Sequence, residues 1–234
     1  MAIFGADSKL SANTRLTNGY HLYDWVMRQN SFPSFWGRTL TGDNQIGAEE
    51  IEFLREKNCK IALIINDLSE TCVSAVNGTD DALRAVEAAK ALGVPENAGI
   101  ALFAEIGTDW SVNHNWMISF AQVLSDNGYV PGFIGNTDSS LNFNFDRQCS
   151  HFVQATQDIG QYGAIYWATE PKPSGEPEEW TPFCPSALTP DDIGLWSLGQ
   201  IGLGDISVNE TYARDKSLLN CMWQPSNNTE ERNA

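Results

Sequence analysis

Positive charge is what this chain has least of. Lys and Arg number 14 against 30 Asp and Glu, a formal charge of −16 in 234 residues, and a field of that sign repels phosphate backbones and anionic lipid surfaces. Nucleic acid and membranes are therefore disfavoured as partners. No apolar run reaches eighteen residues, so no segment is expected to span a bilayer. The amino terminus, MAIFGADSKL, lacks the basic and then apolar order of a signal peptide. Two localisations stay open: a cytoplasmic chain, or a secreted or cell-wall-associated one whose export signal has been removed. The cysteines, Cys59, Cys72, Cys149, Cys184 and Cys221, are odd in number and form no CxxC pair, which argues against a zinc site and a complete disulfide framework. Buried free thiols are the simpler reading. His21, His114 and His151 form no HExxH, and no GxSxG elbow, P-loop or GxGxxG occurs. No metal or cofactor is implied.

What the chain does have is a repetition. Short apolar runs keep ending in a carboxylate: AIFGAD at Asp7, KIALIIND at Asp67, IALFAE at Glu105. In a parallel α/β barrel the carboxyl ends of the strands converge on one rim, so acids distant in sequence meet there. With 42% hydrophobic content over its length, the chain can bury a core of barrel size as one domain.

The elements alternate as such a barrel requires. Residues 2–6, 34–42, 60–66, 99–104, 129–134 and 163–169 read as strands, and helices are expected at 20–29, 47–57, 79–92, 112–126 and 141–156 from their apolar spacing and caps. A Pro-rich stretch, EPKPSGEPEEWTPFCPSALTP, then leads to IGLWSLGQ and GDISVNE, which leave no room for full helices. The expectation is an irregular TIM-like (β/α) barrel over residues 1–219, about five β/α units followed by strands lacking full helices. Residues 220–234 read as a polar, flexible tail.

Asp7 ends the first strand and so reaches the mouth; the alternative is a turn brace with Ser8. Glu105, shielded after IALFA, has the setting of a general acid, unless a salt bridge to Arg38 keeps it ionised. Asp205, in GLGDISVNE, would lie beside Asp7 when the barrel closes, or is a turn residue after Gly204. Asp67 is a second carboxylate or a helix cap, Asp109 reads as an N-cap, and Glu170 is a further rim acid. Trp110 and Trp167 are the aromatics expected to be exposed enough to stack on sugar rings, and Asn66, Asn136, Tyr166 and Gln200 could orient hydroxyls. Acids gathered with aromatics over a barrel mouth suit cleavage of glycosidic bonds.

The order GAD, FWGRTLTG, KIALIIND, AGIALFAEIGTDW, YVPGFIGN, AIYWAT and LWSLGQ resembles the glycoside-hydrolase-like domains of the DUF1906 group, relatives of the family 25 lysozymes, over residues 2–210. The resemblance implies a barrel of five strand-helix units with a strand-rich end, and places Asp7 and Glu105 in acidic positions of the family pattern. Family 25 lysozymes carry Asp-x-Glu on the fourth strand; here Phe103 replaces the first acid. The implied activity is hydrolysis of a β-linked glycan such as peptidoglycan, with Glu105 as acid and Asp7 or Asp205 stabilising positive charge. The alternative is a catalytically inactive glycan-binding or scaffold protein on the same barrel, which Phe103 favours.

Overall fold

The computed structural model describes residues 1–27, 31–138, 144–159, 163–169, 177, 179–203 and 206–226. Eight strands close into a barrel in sequence order: β1 (Ile3–Asp7), β2 (Phe35–Thr39), β3 (Lys60–Ile65), β4 (Ala101–Glu105), β5 (Val130–Gly135), β6 (Ile165–Thr169), β7 (Ile193–Leu203) and β8 (Ile206–Ala213). Among the described residues, six helices lie between the first six strands: α1 (Leu22–Trp25), α2 (Ala48–Glu56), α3 (Glu70–Val73), α4 (Thr79–Ala91), α5 (His114–Asp126) and α6 (Asn144–Ile159). Strands β1 to β7 run parallel, whereas β8 is antiparallel to both β7 and β1. A parallel return needs a crossover of about a dozen residues. Residues 204–205 cannot supply one, so β8 must reverse.

Both faces of the strands are covered, which explains the continuous apolar runs. In β3, Ile61, Leu63 and Ile65 join the outer core under the helices, while Ala62 and Ile64 turn into the barrel. The barrel interior is filled by Phe35, Ile64, Phe103, Ile134, Trp167 and Leu195. Small residues make room for the large ones: a Cβ on Gly5 would lie 2.3 Å from the Phe35 ring, and one on Gly132 would lie 2.3 Å from that of Phe103.

Two expectations change. Of the helix expected at 20–29, residues 28–29 lie outside the described residues and the rest forms the single turn Leu22–Trp25, because Val26 turns extended and Tyr23 is drawn under the chain, its hydroxyl donating to the Pro33 carbonyl at 3.0 Å. The tail expected from residue 220 is packed as far as Trp223. Strand β4 begins pairing with β3 only at Leu63, leaving the Ile61 backbone open on that side. Trp223 fills the gap by exchanging two backbone hydrogen bonds with Ile61, at 2.8 and 2.9 Å, and Met222 closes the barrel floor. The five cysteines are free thiols.

Candidate active site

The rim is set by β1 and its two neighbours. Asp7, the last residue of β1, lies across from Gly37 in β2 and Asn209 in β8. Gly37 has to be small: a Cβ there would lie 2.5 Å from the Asp7 Cβ and 3.1 Å from the Trp167 ring. The freed space lets Trp167 reach across the barrel and form a floor beneath Asp7. The Asp7 carboxylate accepts from the Asn209 amide at 2.6 Å on one oxygen and from the Thr211 hydroxyl at 2.8 Å on the other. Burial pushes its pKa up from 3.8 to about 7; the two hydrogen bonds oppose that rise and the nearby Glu105 charge adds to it.

Glu105 ends β4 on the same rim. Its side chain opens to water through the mouth, yet protein surrounds it on the other sides, and that enclosure raises its pKa while Lys9 opposes the rise. Arg38 does not pair with it. The guanidinium is buried against Glu50 at 2.7 Å and also donates to the carbonyls of Ser8, Lys9 and Asn44. Arg38 therefore clamps the loop that follows β1 and carries Lys9, leaving Glu105 without a guanidinium to hold it ionised.

Two adjoining cavities open over these acids. The smaller, of about 330 Å³, is lined by Asp7, Lys9, Thr39, Asn66 and Ser207; the larger, of about 640 Å³, by Thr108, Ile134, Asn136, Thr169 and Ser197. Glu105, Gln200 and Asn209 line both and mark the line where the lobes meet. Both volumes fall in the ~300–1,000 Å³ range of small-molecule sites. One wall is the β7–β8 hairpin, which continues for three residue pairs above the Gln200–Asn209 pair, roughly 10 Å of strand.

Of the residues singled out from sequence, Asp7, Asn66, Glu105, Asn136 and Gln200 line this mouth. Asp67 does not line it: its carboxylate accepts from the Thr41 hydroxyl and pairs with Arg84 at 3.6 Å, bracing two loops against α4. Tyr166 faces outward into the core under the helices, since the residue beside an inward Trp167 must point the other way. Trp167 is not an exposed stacking residue but a buried floor, 1% accessible. Trp110 leans its ring on Gly107 and reaches the mouth only through that backbone. Asp205 and Glu170 lie outside the described residues; the register partner of Asp7 is Asn209. The α5 cap is Asn113 rather than Asp109.

Asn209, Thr211, Ser197 and Lys9 belong to the site and were not singled out. For Asn209 and Thr211 the signal was the two-residue alternation of VNETYA, which puts them on one face of β8. Phe103 sits two residues below Glu105, its ring edge-on to Trp167 at 5.4 Å between centroids. Among the described residues no group of three or more His, Cys, Asp or Glu could hold a metal ion, and no helix is long and apolar enough to cross a membrane.

No protein-family model and no curated protein sequence matches the chain. Solved structures do match. An uncharacterized B. stearothermophilus protein is 25% identical with a TM-score of 0.76, covering 94% of this chain and 100% of that one. The Mycobacterium tuberculosis Tat-secreted protein Rv2525c, in complex with L-tartrate, is 14% identical with a TM-score of 0.57, covering 92% and 96%. The catalytic domain of endolysin ply40, from bacteriophage P40 of Listeria monocytogenes, is 17% identical with a TM-score of 0.52, covering 94% and 96%. This β/α barrel is thus a fold that also carries an endolysin's catalytic domain.

Proposed function

We propose that the chain is a glycoside hydrolase that cleaves a β-linked glycan, with peptidoglycan the polymer to test first. The observation that carries this reading is the meeting of two interacting carboxyl groups, Asp7 in the smaller cavity and Glu105 where the two cavities join. A chain of sugars laid across the mouth would bring one glycosidic bond over Glu105. Enclosure raises the Glu105 pKa and so favours the protonated form a general acid needs, and Glu105 donates to the leaving oxygen. Asp7, tied at both oxygens, faces the oxocarbenium-like carbon and stabilises it in its ionised form, which burial confines to pH near and above 7. In this reading the reacting ring occupies the smaller lobe, which Asp7 lines, and the leaving group the larger one. Because the two groups interact, the acid and base limbs of the rate profile belong to the pair. The fold shared with a phage endolysin domain and with a Tat-secreted protein supports a cell-wall substrate and action outside the cytoplasm.

Phe103 supports a second reading, a binding protein on the same barrel, because it leaves Glu105 as the single carboxylate of the fourth strand. Glu105→Gln decides between them when assayed on purified cell walls and β-linked amino-sugar oligomers. The hydrolase reading expects wild-type turnover and a loss of ~10²–10⁴-fold in the variant. Turnover that survives the substitution removes Glu105 as the acid, and wild-type binding without turnover supports the second reading.

A further inference from the structure

Behind Asp7 lies a run of hydrogen bonds that crosses four strands. The Trp167 indole on β6 donates to the Ser197 hydroxyl on β7 at 2.9 Å, Ser197 and the Thr211 hydroxyl on β8 are 2.8 Å apart, and Thr211 donates to Asp7 on β1 at 2.8 Å. All three members behind Asp7 are buried, Thr211 completely. We propose that Trp167, Ser197 and Thr211 form a one-way relay of hydrogen bonds that points a hydroxyl hydrogen at Asp7 and favours its charged carboxylate against the burial that opposes it, making Thr211 and Ser197 positioning residues. The inference rests on the role given to Asp7 above and deepens it.

The direction follows from donor chemistry. An indole N–H can only donate, so Ser197 must accept from Trp167 and pass its own hydrogen elsewhere. With Thr211 committed to Asp7, that hydrogen goes to Thr211 and every donor points the same way. The other Asp7 oxygen faces the Asn209 amide donor, so a proton arriving on Asp7 lands on the oxygen next to Thr211. Thr211 must then turn back to Ser197. Ser197, now facing two donors, must send its hydrogen into the larger lobe, which it lines. Protonation of Asp7 therefore reverses two hydroxyls, and buried hydroxyls in a low-dielectric layer resist that reversal. The charged groups facing Asp7 are Glu105 from β4 and Lys9 from its own loop; the neighbours from β2 and β8 are the uncharged Gly37, Asn209 and Thr211.

The test needs no substrate. Carboxyl carbon shifts of aspartate-labelled full chain, followed by NMR against pH and assigned with Asp7→Asn, read the Asp7 proton directly. Thr211→Val should raise the Asp7 pKa by about 1, a tenfold tighter proton, from loss of one hydrogen bond to a charge. Ser197→Ala, which touches Asp7 only through Thr211, should raise it by less, and Thr211→Ser should leave it as in wild type. An Asp7 pKa unmoved by both Thr211→Val and Ser197→Ala overturns the relay, and so does a fall in Ser197→Ala. Should Thr211→Val fail to fold, Ser197→Ala and Thr211→Ser decide alone. If wild type hydrolyses no glycan, the hydrolase reading fails while these shifts still report on the relay, so the two failures are distinguishable.

Discussion

Asp7→Asn should make the protein more stable above neutral pH. The folded chain holds the Asp7 proton with a pKa of about 7 against 3.8 for the free group, so the folded state binds more protons than the unfolded state between those values. Stability contributed by the protonated form is complete below about pH 4, is lost as pH rises through 7, and changes no further above it. A gap of about 3 pKa units corresponds to about 4 kcal/mol, at 1.36 kcal/mol each, as an upper figure. Water reaches the mouth and screens the charge, so about half of that, ~2 kcal/mol, is the expected gain. Asn in place of Asp7 keeps one oxygen for Thr211 but sets its amide against the Asn209 donor, a mismatch that takes part of this gain. For a chain of this size the gain corresponds to about 4–8 °C in melting temperature. Melting curves of wild type and variant from pH 4 to pH 8 should coincide at the acid end and separate with rising pH. Parallel curves, or a variant less stable than wild type at pH 8, would refute a buried, destabilising carboxylate at this position.

Two further outcomes test how the rim and floor are held. Arg38→Leu leaves Glu50 charged and buried with one oxygen already lacking a partner, so urea unfolding should show a loss of ~3–5 kcal/mol, part of it recovered when Glu50→Leu is added. Trp223→Ala removes the side chain over the open edge of β3 and should lose ~3–5 kcal/mol; a change below ~1 kcal/mol would return the segment after residue 219 to the status of a loose tail.

Sequence made the first two thirds of the barrel legible for a specific reason. Runs such as KIALII and ALFAE are covered on both faces, so they are apolar at both parities and cannot be mistaken for half-exposed strands. The same completeness hides parity. In IYWAT both Tyr166 and Trp167 are aromatic, and only closure of the barrel decides that Trp167 turns inward and Tyr166 outward. The 20–29 segment failed differently: its apolar spacing fits a helix, but Tyr23 is held by contacts with Trp36 and Phe53 and by the Pro33 carbonyl, and one turn satisfies them.

The site was half legible, and the divide follows the geometry. Asp7 and Glu105 could be found because a strand-end position depends only on the strand itself. Asn209 and Thr211 depend on the register of an antiparallel hairpin with an irregularity between Ser197 and Gly199, and a shift of four residues separates the expected neighbour Asp205 from the observed Asn209. Phe103 brings these points together. An acid at that position would lie in the apolar layer against Trp167 and Gly132, below the mouth rather than in it. Here the like charge that Asp7 feels comes from Glu105 across the rim, so the pair is made by β1 and β4 meeting at the mouth and not by a motif within one strand. Phe103 in place of an acid therefore takes nothing from the mouth itself, where Asp7 from β1 and Glu105 from β4 line the same cavity.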